Sequence, residues 1–376
     1  MADTLNKPIS FILFIGIGLL LRKKISAGNE TNGLKHLILS VVLPITIFIA
    51  LLKIKVGSNL IMFPILALGL NILLFAISPF LLNLVGLDTS SAPGKSARIL
   101  LPSLAPGLSC FAFILEFLGD EPLAKAAMAD LGNKFFVLFI LYLVAMKWHY
   151  KQGEFEQEPF SEKLKSLVLT LICEPVNLFI LVALIFIGFG ITLDTLPKFI
   201  NLTLTRLSNI MTPLVLIFIG VAVQINKKQF FQIASLLVLR AAFVLLLISA
   251  MAGLFGVAVN NDVLVIVMFA LSACSFWPFA HIANVNYKEK KMAVPKNNRT
   301  FSTNFALSIL AISLPLSVVL ILGVLTFKAT LISPLHIAFL GFSLLVIGVI
   351  YPIAIKLKTP VLREKLNLST TNKKTT

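Results

Sequence analysis

Runs of apolar residues, most of them about as long as a bilayer is thick, alternate with short polar connections along nearly the whole chain. A helix needs about 20 consecutive apolar residues to cross the hydrocarbon core. By that rule the pattern predicts eleven spans. Five lie at roughly 8–22, 36–54, 58–83, 98–118 and 123–146, and five more at roughly 174–193, 200–224, 230–257, 262–285 and 300–325. The last, at roughly 333–356, follows both sets. The polar stretch KWHYKQGEFEQEPFSEKLKS, Lys147 to Ser166, separates the sets, and Leu164 to Cys173 reads as an interfacial helix leading into the sixth span.

Two runs are apolar yet interrupted. Leu100 to Gly119, LLPSLAPGLSCFAFILEFLG, contains Pro102, Pro106 and Gly107, and Leu271 to Asn284, LSACSFWPFAHIAN, contains Pro278. Irregular backbone at membrane depth must be screened from lipid or line a cavity, because its free N–H and C=O groups find no water there. The first break is expected at Pro106-Gly107 in span four and the second at Pro278 in span nine, the fourth of its own set. Interrupted spans at matching places in two halves mark the binding site of a transporter.

Composition agrees with a polytopic membrane protein: 58% of the 376 residues are hydrophobic and 13% charged, with a mean hydropathy of +0.98. The net charge of +16 does not point to nucleic acid, because the basic residues sit in the short connections, where they report topology. With the N-terminus outside, the inner connections and tail hold 23 Lys and Arg against 7 for the outer ones. That bias predicts a cytoplasmic C-terminus, and the membrane expected is the plasma (inner) membrane. The cluster Arg22-Lys23-Lys24 follows the first apolar run and does not precede it, so the run reads as a span and not as a signal peptide.

An odd number of spans per half makes the second half enter from the opposite face. The fold class expected is therefore an all-α membrane protein with a 5+5 inverted-repeat core, broken fourth and ninth helices crossing near the midplane, and an eleventh C-terminal span. Residues 1–146 form the first repeat, 147–173 a cytoplasmic connector with its interfacial helix, 174–325 the second repeat, and 326–376 the extra span and a basic tail. The extra span would pack at the periphery or supply a homodimer interface.

A broken helix presents unpaired N–H groups at the start of its second half, an end that favours anions. Gly107, Leu108 and Ser109 would supply them in span four, beside Ala105 and Pro106, and Phe279 to His281 in span nine, after Pro278. Ser109, Ser275, His281 and Asn284 add side-chain hydrogen bonds. Such a site suits the carboxylate of a small organic anion. Lys134 and Arg240 are the only basic residues left out of the Lys and Arg count, in spans five and eight; Lys134, beside Asn133, is four residues from Asp130 and either pairs with it or binds the anion, whereas Arg240 reads as structural. Asp130, Glu116 and Glu174 are the carboxylates available for coupling to H+ or Na+.

The three cysteines, Cys110, Cys173 and Cys274, lack C-x-x-C spacing, so no metal site is expected, and no cofactor. The motifs G-x-S-x-G, H-E-x-x-H and the Walker loop are missing, which argues against an enzyme.

Several segments resemble the auxin efflux carrier family of permeases, in the bile acid/auxin/arsenite transporter superfamily. FIGIGLLLRKKIS and LKHLILSVVLPITIFIALL are similar to its first two spans, and LGDEPLAKAAMADLGNKFFVLF, with Asp130 and Asn133, to the start of its fifth. EPVNLFILVALIFIGFGI is similar to its sixth, with Glu174 where the family has Asn; MTPLVLIFIGVAV resembles the seventh and STNFALSILAISLPL the last core span. The resemblance covers about residues 9–325 in consistent order. It implies a ten-span inverted-repeat core with crossed fourth and ninth helices, and secondary transport of small organic anions. Span nine departs from the family's Pro-Pro-Ala with Pro278-Phe279-Ala280, and span four from its Asn-x-Gly with Ala105-Pro106-Gly107. A sodium-coupled bile-acid-type symporter and a non-transporting membrane sensor or assembly protein are the alternative readings.

Overall fold

The computed structural model describes residues 2–22, 24–25, 29–53, 60–151, 160–222, 229–331 and 333–371, and among these every regular element is helical. Apolar runs have little choice: in hydrocarbon the backbone must satisfy its own polar groups, and a helix does so within one segment. The chain opens with α1 (Ala2–Leu21), α2 (Glu30–Leu52) and α3 (Met62–Leu84). After α4 (Ala92–Leu100) come one helical turn, Pro106–Ser109, and α5 (Phe111–Leu118). The long α6 (Asp120–Tyr150) ends the first half. Residues 152–159 of the expected connector lie outside the described residues.

The second half begins with α7 (Phe160–Cys173) and α8 (Pro175–Gly188), bent by 66° at Glu174. It continues through α9 (Lys198–Ala222), α10 (Phe230–Leu254), α11 (Asn261–Ala270), α12 (Phe276–Lys291) and α13 (Thr303–Thr326). The final helix is α14 (Pro334–Thr371). Among the described residues seven helices, α2, α3, α6, α9, α10, α13 and α14, are long and apolar enough to cross a membrane, and the bent pair α7–α8, if counted as one span, makes an eighth. The other three expected spans are not continuous helices of that length. The first is apolar only over Asn6–Leu21, and the fourth and ninth are split into α4 with α5 and α11 with α12.

Burial sorts the helices into centre and rim. In α6 and α10, 72% of the apolar window is buried, against 22% in α14. Leu335, Phe339, Val346 and Ile350 of α14 all face outward, a continuous apolar surface that suits lipid and not water. The inner side of α14 packs along α10, where Ser235 Oγ donates to Gly348 O at 2.6 Å and Ser249 Oγ to Pro334 O at 2.6 Å. Hydrogen bonds and close packing do here what the hydrophobic effect cannot do inside a bilayer.

Two details place the site. Gly132 of α6 lies so near α3 that a Cβ would stand 2.0 Å from Pro64 O, so the two backbones touch and Asn71 meets Asn133. Both α2 and α6 also carry a five-residue π turn, Ile38–Val42 and Phe136–Ile140. Such turns free a carbonyl from the helical ladder and often stand at functional sites.

Candidate functional site: the crossing of two helix breaks

The chain leaves helical geometry over residues 101–105 and again over 271–275, five residues each time. The two breaks lie against each other. Ala105 N–H donates to Ala273 O at 2.8 Å, Ala273 N–H to Ser109 Oγ at 3.0 Å, and Ser275 N–H to Ser103 Oγ at 3.1 Å. All of 101–104 and 271–275 is buried. Main-chain groups without a helix have thus found partners in the other break, as buried polar groups must.

The register of both breaks differs from the sequence expectation. Pro106 begins its helical turn and Pro278 is the third residue of α12. A missing N–H costs nothing in a first turn, whose donors have no helical acceptor. The prolines therefore mark where helix resumes, and the break lies just before each. In consequence Phe279 to His281 sit inside α12 and are not its free first donors; Ser275 caps that end, accepting from Trp277 N–H at 3.3 Å.

Each break is clamped from the side by a residue of another helix. Asn133 of α6 takes both main-chain groups of Leu104, with Nδ2 donating to Leu104 O at 2.8 Å and Oδ1 accepting from Leu104 N–H at 3.1 Å. The Asn71 amide stands between Asn133 Oδ1 at 3.0 Å and the carbonyls of Ala67 and Pro102 at 3.3 Å, and its NH2 can face only one side. At the second break the clamp is Arg240 of α10. Its guanidinium donates to Ser272 O at 2.6 Å, Ala270 O at 3.2 Å and Cys274 Sγ at 3.2 Å, while Cys274 N–H donates to Ser313 Oγ at 3.2 Å. A cation on the last carbonyls of α11 complements the helix dipole.

Beside the first clamp lies a buried ionic cluster. Lys134 Nζ is 3.2 Å from Asp130 Oδ2, bonds Glu174 Oε2, and donates to Asn177 Oδ1 at 3.1 Å. Those three partners occupy the three donors of an ammonium. Asp130 Oδ1 accepts from Asn133 Nδ2 at 2.8 Å, so cluster and clamp share a residue. Asn177 Nδ2 donates to Leu171 O at 2.6 Å, which ties the cluster to the bend between α7 and α8. With both carboxylates ionised the cluster carries one negative charge in excess.

The remaining expected residues divide by place. Ala105, Ser109 and Ser275 bond across the two breaks, and Pro106, Gly107 and Pro278 follow them in the helices that resume; a Cβ on Gly107 would stand 2.9 Å from Leu43 Cδ2 of α2. His281 Nε2 lies 3.1 Å from Val137 O, a carbonyl in the π turn of α6, and so carries its proton there. Asn284 is half-buried one turn further along α12. Glu116 is away from the crossing, at the rim, where Lys7 Nζ bonds its main-chain oxygen at 2.9 Å and sits 3.6 Å from its carboxylate. Sequence reasoning passed over Asn71, Ser103, Asn177, Ser272 and Ser313, and gave Arg240 no place at the crossing. The signal available was the charge of Arg240 within a 25-residue apolar helix.

No protein-family model matches the chain, and neither does any curated protein sequence.

Proposed function

We propose that the protein is a secondary-active membrane carrier that moves a small organic anion by alternating access, with the crossed breaks as its substrate site. The observation that carries this reading is the bond from Ala105 N–H to Ala273 O inside a buried crossing. A protein that needed only to fill a membrane would use unbroken helices, since interrupting two of them at depth demands the clamps described above. Equal break length, a proline at or just after each helical restart, and one polar clamp from a neighbouring span per break support an inverted repeat of five spans. On this reading the chain adopts the auxin efflux carrier plan, with the N-terminus outside and the C-terminus cytoplasmic in the plasma (inner) membrane. The eleventh span, α14, is a peripheral addition packed on α10.

Coupling is assigned to the Asp130–Lys134–Glu174 cluster. Its excess negative charge favours taking up one H+ or Na+, and its tie to the α7–α8 bend gives that event something to move. A buried charge left unbalanced is costly, so binding a cation there and a substrate anion at the crossing would favour one another.

Counterflow in proteoliposomes tests the reading. Vesicles loaded with mono- and dicarboxylates or indole acids are expected to exchange at least one of them against external label. Gly107→Val should slow exchange at least tenfold while the thermal unfolding of the protein is kept, because the clash falls on the flexible end of Leu43. Binding without exchange for every solute that binds would replace the carrier with a sensor.

A further inference from the structure

The charge balance at the second break is incomplete. Arg240 is 4% exposed, and among the described residues no Asp or Glu lies within 4.0 Å of it. Its three acceptors, two carbonyls and a thiol, are neutral. A guanidinium carries five N–H donors, and those contacts take one from Nη1 and two from Nη2, leaving two. Beside it, between α10, the end of α11 and α13, is a cavity of about 10 Å³ lined by Arg240, Leu237, Ala270, Leu271, Ser313 and Ser317 among others. That is room for about one water-sized particle. Ser317 is 6% exposed, faces this cavity, and has no hydrogen-bond partner among the described residues. Ser313 already accepts from Cys274 N–H and donates to Leu310 O at 3.0 Å.

We propose that the cavity between Arg240 and Ser317 binds one small monovalent anionic centre, either a chloride ion or a single oxygen of a carboxylate. A lone cation at membrane depth costs several kcal/mol on insertion scales. Water can satisfy donors there but cannot cancel the charge. An anion does both, taking a spare guanidinium N–H and the Ser317 hydroxyl as donors. The site is set by the Arg240 geometry and does not depend on transport, so it stands or falls apart from the carrier reading. If the anion is a carboxylate, it also names the group by which the solute is held.

The full chain, purified in detergent, is exchanged into sodium isethionate, a sulfonate that offers neither halide nor carboxylate, at constant ionic strength and titrated with chloride, bromide or formate while thermal unfolding is followed. A saturable rise in Tm is expected with halide, with formate, or with both, and none with further isethionate. Halide alone identifies an inorganic ion; formate alone identifies a carboxylate. Ser317→Ala should raise the midpoint of that titration about tenfold, the loss of one hydrogen bond to a charged group. Arg240→Gln should abolish the response, and if that variant does not fold, the Ser317→Ala titration decides. No saturable response, or the same midpoint in Ser317→Ala as in the unsubstituted protein, would overturn the site.

Discussion

The break after α4 is held by a neutral amide, Asn133, whereas the break after α11 is held by a guanidinium, Arg240. The amide suffices at the first because it both donates and accepts, closing one residue's N–H and C=O together. Arg240 can only donate, so it gathers carbonyls, and the N–H of Cys274 needs a separate acceptor in Ser313. The charges around them also differ in sign. Near the first break two carboxylates share one ammonium, while near the second a cation has no carboxylate within 4.0 Å among the described residues. Two breaks of one length are therefore served by different chemistry. Under the proposed carrier function, one side of the site takes up a cation and the other meets an anion.

The largest expected contrast is between Lys134→Met and Arg240→Met. Removing Lys134 strands the buried Asp130 carboxylate and the half-buried Glu174 carboxylate and should cost about 3–5 kcal/mol of stability. Removing Arg240 takes away an unbalanced charge and leaves neutral carbonyls, a loss of about 1–3 kcal/mol. Tm values measured side by side in one detergent check this, and an Arg240→Met protein less stable than Lys134→Met would erase the distinction between the breaks. Next in size is Gly132→Ala. Its Cβ meets backbone and not a movable side chain, so α3 and α6 must part and Asn133 must shift; a loss of about 1–3 kcal/mol is expected, seen as a lower Tm.

Ser109→Ala is a smaller change, about 1–2 kcal/mol, because it removes the acceptor of Ala273 N–H and leaves that buried donor bare. It should be additive with Lys134→Met within experimental error if the crossing and the cluster share no partner at Ser109. The smallest effect on stability is Glu174→Gln, about 1 kcal/mol or less, since Lys134 keeps Asp130. Its signature is functional: solute exchange should persist while the dependence of flux on a proton or sodium gradient is lost. A Glu174→Gln protein that remains fully coupled would move the coupling role away from the cluster.

Much of this was readable in the chain, and the failures have physical causes. Interrupted spans four and nine stood out because Pro and Gly punctuate runs that are otherwise uniformly apolar. Their register was misplaced by a few residues because a proline within a helical run reads as the point of rupture, whereas Pro106 and Pro278 occupy first-turn positions that tolerate it. Four-residue spacing on one helix face made the Asp130–Lys134 pair one of two readings, the other being an anion-binding Lys134. Glu174 could not be joined to it from spacing alone, since only the 66° bend brings the start of α8 back to α6. Arg240 was visible as an unusual charge, but its partners are the carbonyls of a break some 30 residues on. Which backbone groups are left bare by a break is a property of the fold.

The contact between the breaks is tested most directly by locking it. In a protein whose native cysteines are replaced by serine, Ser103→Cys and Ser275→Cys are introduced together, and counterflow is measured oxidised and then reduced. A disulfide that forms readily, stops exchange and releases it on reduction is the expected result. Failure of the pair to cross-link, or full exchange with the cross-link in place, would contradict a moving substrate site at the crossing.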